Sequence, residues 1–184
     1  MNKSTLVRPV NLKKFITEVE DFPKPGIQFK DITPLLKAPK ILNQSVEMLI
    51  EPFLKKEVTA VAGMEARGFI FGALAAHKLN TSFIPLRKPD KLPYDVKQTS
   101  YDLEYGSASL EIHTDAAGAN DNVLLVDDLI ATGGTAEAAA KLVKMSGGQV
   151  AGFIFVINLF DLGGKKLLED KGYKSHSLMD FPGH

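Results

Sequence analysis

The chain has no cysteine among its 184 residues. That excludes disulfide scaffolds, thiolate zinc sites, iron–sulfur clusters and cysteine nucleophiles, and it permits a reducing compartment. It has no surplus of charge either: 22 Lys and Arg balance 22 Asp and Glu, for a formal net charge of zero. A generally basic nucleic-acid surface and a polybasic membrane binder are thereby excluded, and any anion site must be a local cluster. No apolar run approaches the roughly 18 residues of a membrane span. The start, MNKSTLVRPVNLKKF, is basic but has no apolar stretch of about 7–15 residues behind it, so it does not read as a secretory signal. The four histidines, at 77, 113, 176 and 184, share no metal-ligand spacing, and no protein-held metal is expected. These absences lead to the expectation of a soluble cytoplasmic protein without nucleic-acid or membrane partners.

What is present suits a globular domain: 45% hydrophobic and 24% charged residues, in a length that fits a single domain over 1–184. Leu12, Phe15, Ile16 and Val19 form a helical stripe. Phe22-Pro23-Lys24-Pro25-Gly26 ends it and predicts an extended stretch to Leu36, because proline and the residue before it reject helical geometry. A helix is expected from Ile41 to Lys56. Short strands are predicted at 58–63, 82–86, 123–128 and 150–160, with helices at 69–79 and 135–145. The strands are runs of Val, Ile, Leu and Phe without polar alternation, which indicates burial on both faces. Their alternation with helices predicts an α/β, doubly wound, mainly parallel sheet clothed by helices on both faces. From Arg87 to Ala108 the chain is polar, rich in Lys, Pro and Tyr, and without period. It reads as a long flexible loop, and a loop of ~20 residues is more often functional than idle.

In an open parallel sheet ligands bind beyond the carboxyl ends of the strands. There the sequence places Arg67 after the first strand, Arg87 and Lys88 after the second, and Asp127-Asp128 at the third. In VLLVDDLIATGGT the two acids are followed by a Gly/Thr-rich turn and the start of a helix. Successive backbone N–H groups and the positive end of the helix dipole suit a phosphate monoester. It is not a Walker A loop, since no lysine follows the glycines, and GxGxxG is absent. Acids beside a phosphate cradle make sense when they serve another part of the ligand. A sugar diol is the natural partner, so the motif points to a ribose 5-phosphate, with the carboxylates also favouring positive charge at the anomeric carbon.

DDLIATGGT resembles the ribose-phosphate signature of the type I phosphoribosyltransferases. FPKPGIQFKDITPLL, GMEARGFIFG, RKPDKLP, YDLEYG and NLFDLGG are similar to the adenine-using branch of that family, over nearly the whole chain from Phe22. The resemblance implies the type I phosphoribosyltransferase fold, with residues 1–36 contributing a small base-binding hood and residues 87–108 a catalytic loop. It implies the reaction of adenine with phosphoribosyl pyrophosphate to give AMP and pyrophosphate, with Mg²⁺ held mainly by the substrate's phosphate and ribose oxygens, in a homodimer. Residue by residue, Asp127 and Asp128 would hold the ribose hydroxyls. Ala131, Thr132, Gly133, Gly134 and Thr135 would hold the 5′-phosphate. Arg67, Arg87, Lys88 and Lys91 would meet the pyrophosphate, a leaving group whose charge calls for cations and a metal. Glu104 matches the family's acid/base carboxylate, acting at N7 of the purine as N9 attacks. Gln28, Phe29 and Lys30 fall in the adenine-binding segment. There the chain departs from the family's usual FRDI: Lys30 replaces an arginine and cannot make its planar bidentate contact, and Gln28 is polar where an apolar residue is usual. The resemblance also implies a cis peptide at Glu65–Ala66.

Two other readings share this fold: a transferase for a 6-oxopurine or orotate, and a non-catalytic ligand-sensing regulator. The stretch from Lys88 to Tyr105 carries lysines, tyrosines and Glu104 but no apolar anchor. It is expected to be mobile without ligand and to close when its lysines gain anionic partners. His113, on an expected strand, is given a structural role.

Overall fold

The computed structural model describes residues 10–102 and 107–183. They fall into two compact units that part between Ser45 and Val46, within helix α2 (Pro39–Ile50).

The first unit holds a 3-10 turn over Leu12–Phe15, an antiparallel pair of strands β1 (Thr17–Val19) and β2 (Phe29–Asp31), and the one-turn helix α1 (Thr33–Leu36). The helical stripe expected over residues 12–19 is therefore not a helix. Thr17 and Val19 are β-branched, and Glu18 pairs across the strands with Lys30, whose ammonium it binds. Cross-strand pairing outweighs a four-residue apolar period. The extended stretch expected to reach Leu36 is likewise broken at Thr33, where the Asp31 carboxylate accepts from the Thr33 N–H at 2.9 Å and from its hydroxyl at 2.6 Å. Pro34 sits in the first turn of α1, where its missing N–H costs nothing. Helix α2 stops at Ile50 rather than Lys56. Pro52 would clash with the preceding turn, and a 3-10 turn over Glu51–Phe53 follows instead.

The second unit is built on a five-stranded parallel sheet ordered β4 (Ser82–Leu86), β3 (Ala60–Met64), β7 (Asn122–Ile130), β8 (Gln149–Leu159), β9 (Ser175–Phe181). Helix α3 (Gly68–Leu79) covers one face. On the other face α4 (Gly134–Met145) packs with Met64, Val123, Leu125, Phe153 and Phe155, all essentially inaccessible to solvent. A short helix α5 (Gly164–Asp170) joins β8 to β9, and its Leu168 enters the same core. Four strands and both long helices lie where the sequence puts them, in the α/β parallel architecture expected. The fifth strand, β9, reads SHSLMDF. As an edge strand it is half polar and shows no buried run.

The described part of residues 87–108 is not the structureless loop expected. Strands β5 (Val96–Asp102) and β6 (Ser107–His113) pair antiparallel in unbroken register from Val96↔His113 to Asp102↔Ser107. The face of β5 opposite Leu110 and Ile112 consists of Lys97, Thr99 and Tyr101. Thr99 is buried, Tyr101 packs on the core, and Lys97 Nζ donates to the Met145 carbonyl at the end of α4, 2.8 Å away. Polar and amphipathic side chains facing inward leave no hydropathy period to read. His113 lies at the end of β6, as expected of a strand, and stacks on Tyr94 with ring centroids 3.6 Å apart.

Candidate active site

The carboxyl ends of β3 and β7 open into one cavity of about 360 Å³. Its wall comes from Met64 to Arg67, from Asp127 through Ala136, and from Tyr101 and Phe155. Close packing of α3 on β7 brings the two segments together. A β carbon on Gly68, the first residue of α3, would lie 2.6 Å from the Val126 carbonyl and 3.0 Å from Asp127 Oδ1. Glycine is what allows the helix to begin there, with Arg67 immediately before it.

Arg67 Nε stands 2.9 Å from Asp128 Oδ2, an ion pair in the cavity wall between a half-exposed guanidinium and a buried carboxylate. That oxygen has no hydrogen-bond donor directed at it among the described residues. Asp127 Oδ1 accepts from the Asp128 backbone N–H at 2.8 Å. Desolvation pushes the Asp127 carboxyl well above its usual range, and the adjacent Asp128 charge adds to the rise. Desolvation raises Asp128 as well, with the Arg67 guanidinium pulling the other way. One guanidinium thus stands against two adjacent carboxyl groups in the cavity wall. Hydroxyl donors, such as those of a diol, would suit this arrangement.

The sign of these shifts gives a stability expectation. A folded state that keeps carboxyl protons to higher pH than the unfolded chain loses stability as pH rises above about 4, the ordinary carboxylate range, through the raised values. Asp127→Asn keeps the acceptor oxygen and removes the charge. It is expected to raise the melting temperature at pH 7 by about 2–4 °C for each kcal/mol relieved, with the gain closing near pH 3.5. Scanning calorimetry at the two pH values checks this; an unchanged or lower Tm at pH 7 contradicts it.

Beyond Ile130 the chain turns through Ala131 to Gly133, which has φ of +92° and precedes the first turn of α4. The N–H groups opening a helix have no intrahelical acceptor. Together with the Thr132 and Thr135 hydroxyls, in the wall of the same cavity as the carboxylates, they could serve as an anion cradle.

Of the four expected pyrophosphate cations, Arg67 lines the cavity, while Arg87, Lys88 and Lys91 are not part of its described wall. They connect to it through Glu65. The Glu65 carboxylate accepts from the Lys88 backbone N–H at 2.9 Å and from Arg87 Nε and Nη2 at 3.3 and 3.4 Å, and Arg87 Nη1 donates to the Lys91 carbonyl at 3.1 Å. Burial alone would raise the Glu65 pKa, but the Lys88 N–H and Arg87 outweigh it and hold the carboxyl below its ordinary value. The Glu65–Ala66 peptide is cis, as the resemblance implied. Glu65 was legible only as a letter of the EARG motif. Tyr101 and Phe155 gave no functional signal, because one lies in the polar hairpin and the other in an apolar strand.

In the first unit the Lys30 ammonium is buried against Glu18 and also donates to Gln28 Oε1 at 3.2 Å; Phe29 packs edge-to-face on Phe22, with centroids 5.1 Å apart. Lys30 thus serves its own strand pair. Glu104 and Tyr105 lie outside the described residues, in the connection between β5 and β6. Among the described residues no three His, Cys, Asp or Glu side chains converge on a metal position, and no helix is long and apolar enough to cross a membrane.

Residues 31–181 match the family model described as phosphoribosyl transferase domain. The chain is 56% identical over 170 residues to the adenine phosphoribosyltransferase of Methylococcus capsulatus, covering 92% of this chain and 98% of that one. Among solved structures, the adenine phosphoribosyltransferase of Rhodothermus marinus is 49% identical with a TM-score of 0.88, covering 92% of this chain and 96% of that one. The Saccharomyces cerevisiae enzyme, solved with an imino-altritol bisphosphate and adenine, is 35% identical with a TM-score of 0.84, covering 91% and 96%.

Proposed function

The chain belongs to the family of phosphoribosyl transferase domains, and from that premise we infer that it transfers the 5-phosphoribosyl group of phosphoribosyl pyrophosphate to adenine, forming AMP and pyrophosphate. It is a pentosyl transferase of purine salvage. The observation that carries this reading is the meeting, in one cavity, of a carboxylate pair, a helix N-terminus ready for an anion, and Arg67.

The roles follow from the chemistry of each group. Asp127 and Asp128 accept hydrogen bonds from the ribose hydroxyls. The N–H and hydroxyl groups of Ala131 to Thr135 hold the 5′-phosphate. Arg67 binds the pyrophosphate, and Arg87, Lys88 and Lys91 join it when Glu65 yields Arg87 to the ligand. N9 of adenine bonds to the anomeric carbon as the bond to pyrophosphate breaks and its electron pair leaves with pyrophosphate. Glu104 takes the proton from N7 in that step. Gln28, Phe29 and Lys30 belong to the base-binding hood of residues 1–36, where Lys30 fixes the β1–β2 pair and leaves base recognition to backbone groups. Residues 87–108 act as the catalytic loop within the one phosphoribosyltransferase domain.

Mg²⁺ would be held mainly by the substrate's phosphate and ribose oxygens, as suits an ion seldom bound by an all-protein cage, and the hard oxygens of Asp127 and Asp128 are compatible with it. When bound, it neutralises charge on the departing pyrophosphate. A cytoplasmic homodimer completes the proposal, resting on the family resemblance. Light scattering is expected to give twice the chain mass of 20.0 kDa.

The test is consumption of nucleobase in the presence of phosphoribosyl pyrophosphate and Mg²⁺. Adenine is expected to be converted to AMP, with hypoxanthine and guanine left unused. Turnover of a 6-oxopurine in preference to adenine would overturn the base assignment, and no turnover of any base would overturn the enzymatic one.

A further inference from the structure

The segment NLFDLGG takes no part in the chemistry above, yet it touches the site. Beyond β8 the chain makes a 3-10 turn over Phe160–Leu162, passes Gly163 at φ of +78° and enters α5 at Gly164. The Gly164 N–H donates to the Ala131 carbonyl at 2.9 Å. A β carbon on Gly164 would lie 2.3 Å from that carbonyl oxygen and 2.7 Å from the Gly133 nitrogen. The contact is reciprocal: a β carbon on Gly133 would lie 3.1 Å from Gly164 Cα and 3.1 Å from Leu167 Cδ2. The turns after β7 and β8 therefore meet backbone to backbone, with no room for a methyl group between them. On its far side the second turn is fastened by Asp161 Oδ1, which accepts from the Gly183 N–H at 2.7 Å.

We propose that Gly164 is a positioning residue for phosphoribosyl transfer: through Ala131 and Gly133 it sets the anion cradle of residues 131–135 at the place where the 5′-phosphate must sit. This rests on the assignment of that cradle to the 5′-phosphate. Interiors packed at crystal density transmit a displacement rather than absorb it. An added methyl at Gly164 meets backbone atoms on the opposite turn, so the cradle itself must shift. Glu65 and Arg67 lie between β3 and α3, outside the atoms that a β carbon on Gly164 meets, and are expected to move less than the cradle. The consequence is selective: ligands that carry a 5′-phosphate lose affinity and pyrophosphate does not.

Calorimetric titration of Gly164→Ala with AMP, ribose 5-phosphate and pyrophosphate reads this directly. Binding of the first two is expected to weaken about tenfold or more, since a misplacement of ~1 Å costs up to about a hundredfold, while pyrophosphate stays within about twofold of wild type. In steady state the KM for phosphoribosyl pyrophosphate is expected to rise and the KM for adenine to hold. Equal weakening of all three ligands would make Gly164 merely structural and overturn the proposal. Leu167→Ala serves if Gly164→Ala does not fold. It removes the side chain behind Gly133 and is expected to weaken AMP about threefold with pyrophosphate unmoved, and wild-type affinity for AMP would count against the proposal. Thr135→Val separates this inference from its premise. If that variant binds AMP as wild type does, the phosphate assignment fails. If it weakens AMP while Gly164→Ala does not, only the positioning role fails.

Discussion

Replacement of Glu104 by glutamine is expected to lower kcat about 10²–10⁴-fold while leaving the KM for adenine within about threefold, the range of general acid–base residues. Glutamine preserves size and hydrogen bonding but cannot take a proton. On the proposed role the loss belongs to the transition state, where N7 would give up its proton as N9 bonds to the sugar. The pH profile supplies the signature. A carboxylate base works only when ionised, so wild-type turnover falls as pH drops through its pKa, and the variant lacks that acid limb. Equal turnover in the two proteins across pH would reduce Glu104 to a residue of the β5–β6 connection.

The second large effect concerns the ribose. On the proposed assignment, Asp127→Asn and Asp128→Asn each convert a charged acceptor of a sugar hydroxyl to a neutral one. Charge-assisted hydrogen bonds contribute about 1.5–3 kcal/mol, so kcat/KM for phosphoribosyl pyrophosphate is expected to fall roughly 10- to 150-fold in each. Asp128→Asn is expected to be the worse of the two, because it also weakens the ion pair to Arg67, 2.9 Å away, and loosens the group proposed to meet the leaving pyrophosphate. Neighbouring residues in one network do not add, so the double variant falls short of the product of the single losses. Set beside the stability gain expected of Asp127→Asn, the pattern is that of a site held ready at a cost to the fold: activity drops as Tm rises. A double variant with wild-type kcat/KM would remove the ribose assignment.

The parallel sheet was legible because β3, β7 and β8 are buried on both faces and carry unbroken apolar runs. The carboxylate pair and the cradle could be read from adjacent residues, since a strand tip, a glycine turn and a helix start occupy one stretch of chain. What could not be read depends on contacts distant in sequence. The β5–β6 pair buries Thr99 and turns the half-buried Lys97 and Tyr101 toward α4 and the core, so its inward face looks polar. The strand at Thr17 exists through Lys30, twelve residues from Glu18 and invisible to a helical period. Glu65 gathers Arg87 and Lys88 from the next strand, a link no spacing within EARG announces. Gly164 meets Ala131 across two strand ends, and only the fold makes the second glycine of NLFDLGG a support for the first turn.

The most direct measurement on the cavity at β7 is a calorimetric comparison of AMP with its 2′-deoxy analogue, in wild type and in the Asp127→Asn, Asp128→Asn double variant. With carboxylates on the diol and the cradle on the phosphate, loss of one hydroxyl is expected to weaken binding to wild type about tenfold or more, by the worth of a charge-assisted hydrogen bond. In the double variant the two nucleotides are expected to bind within about threefold of each other, because the charged acceptor that told them apart is gone. A deoxy penalty of the same size in both proteins would contradict the account, placing the sugar away from Asp127 and Asp128.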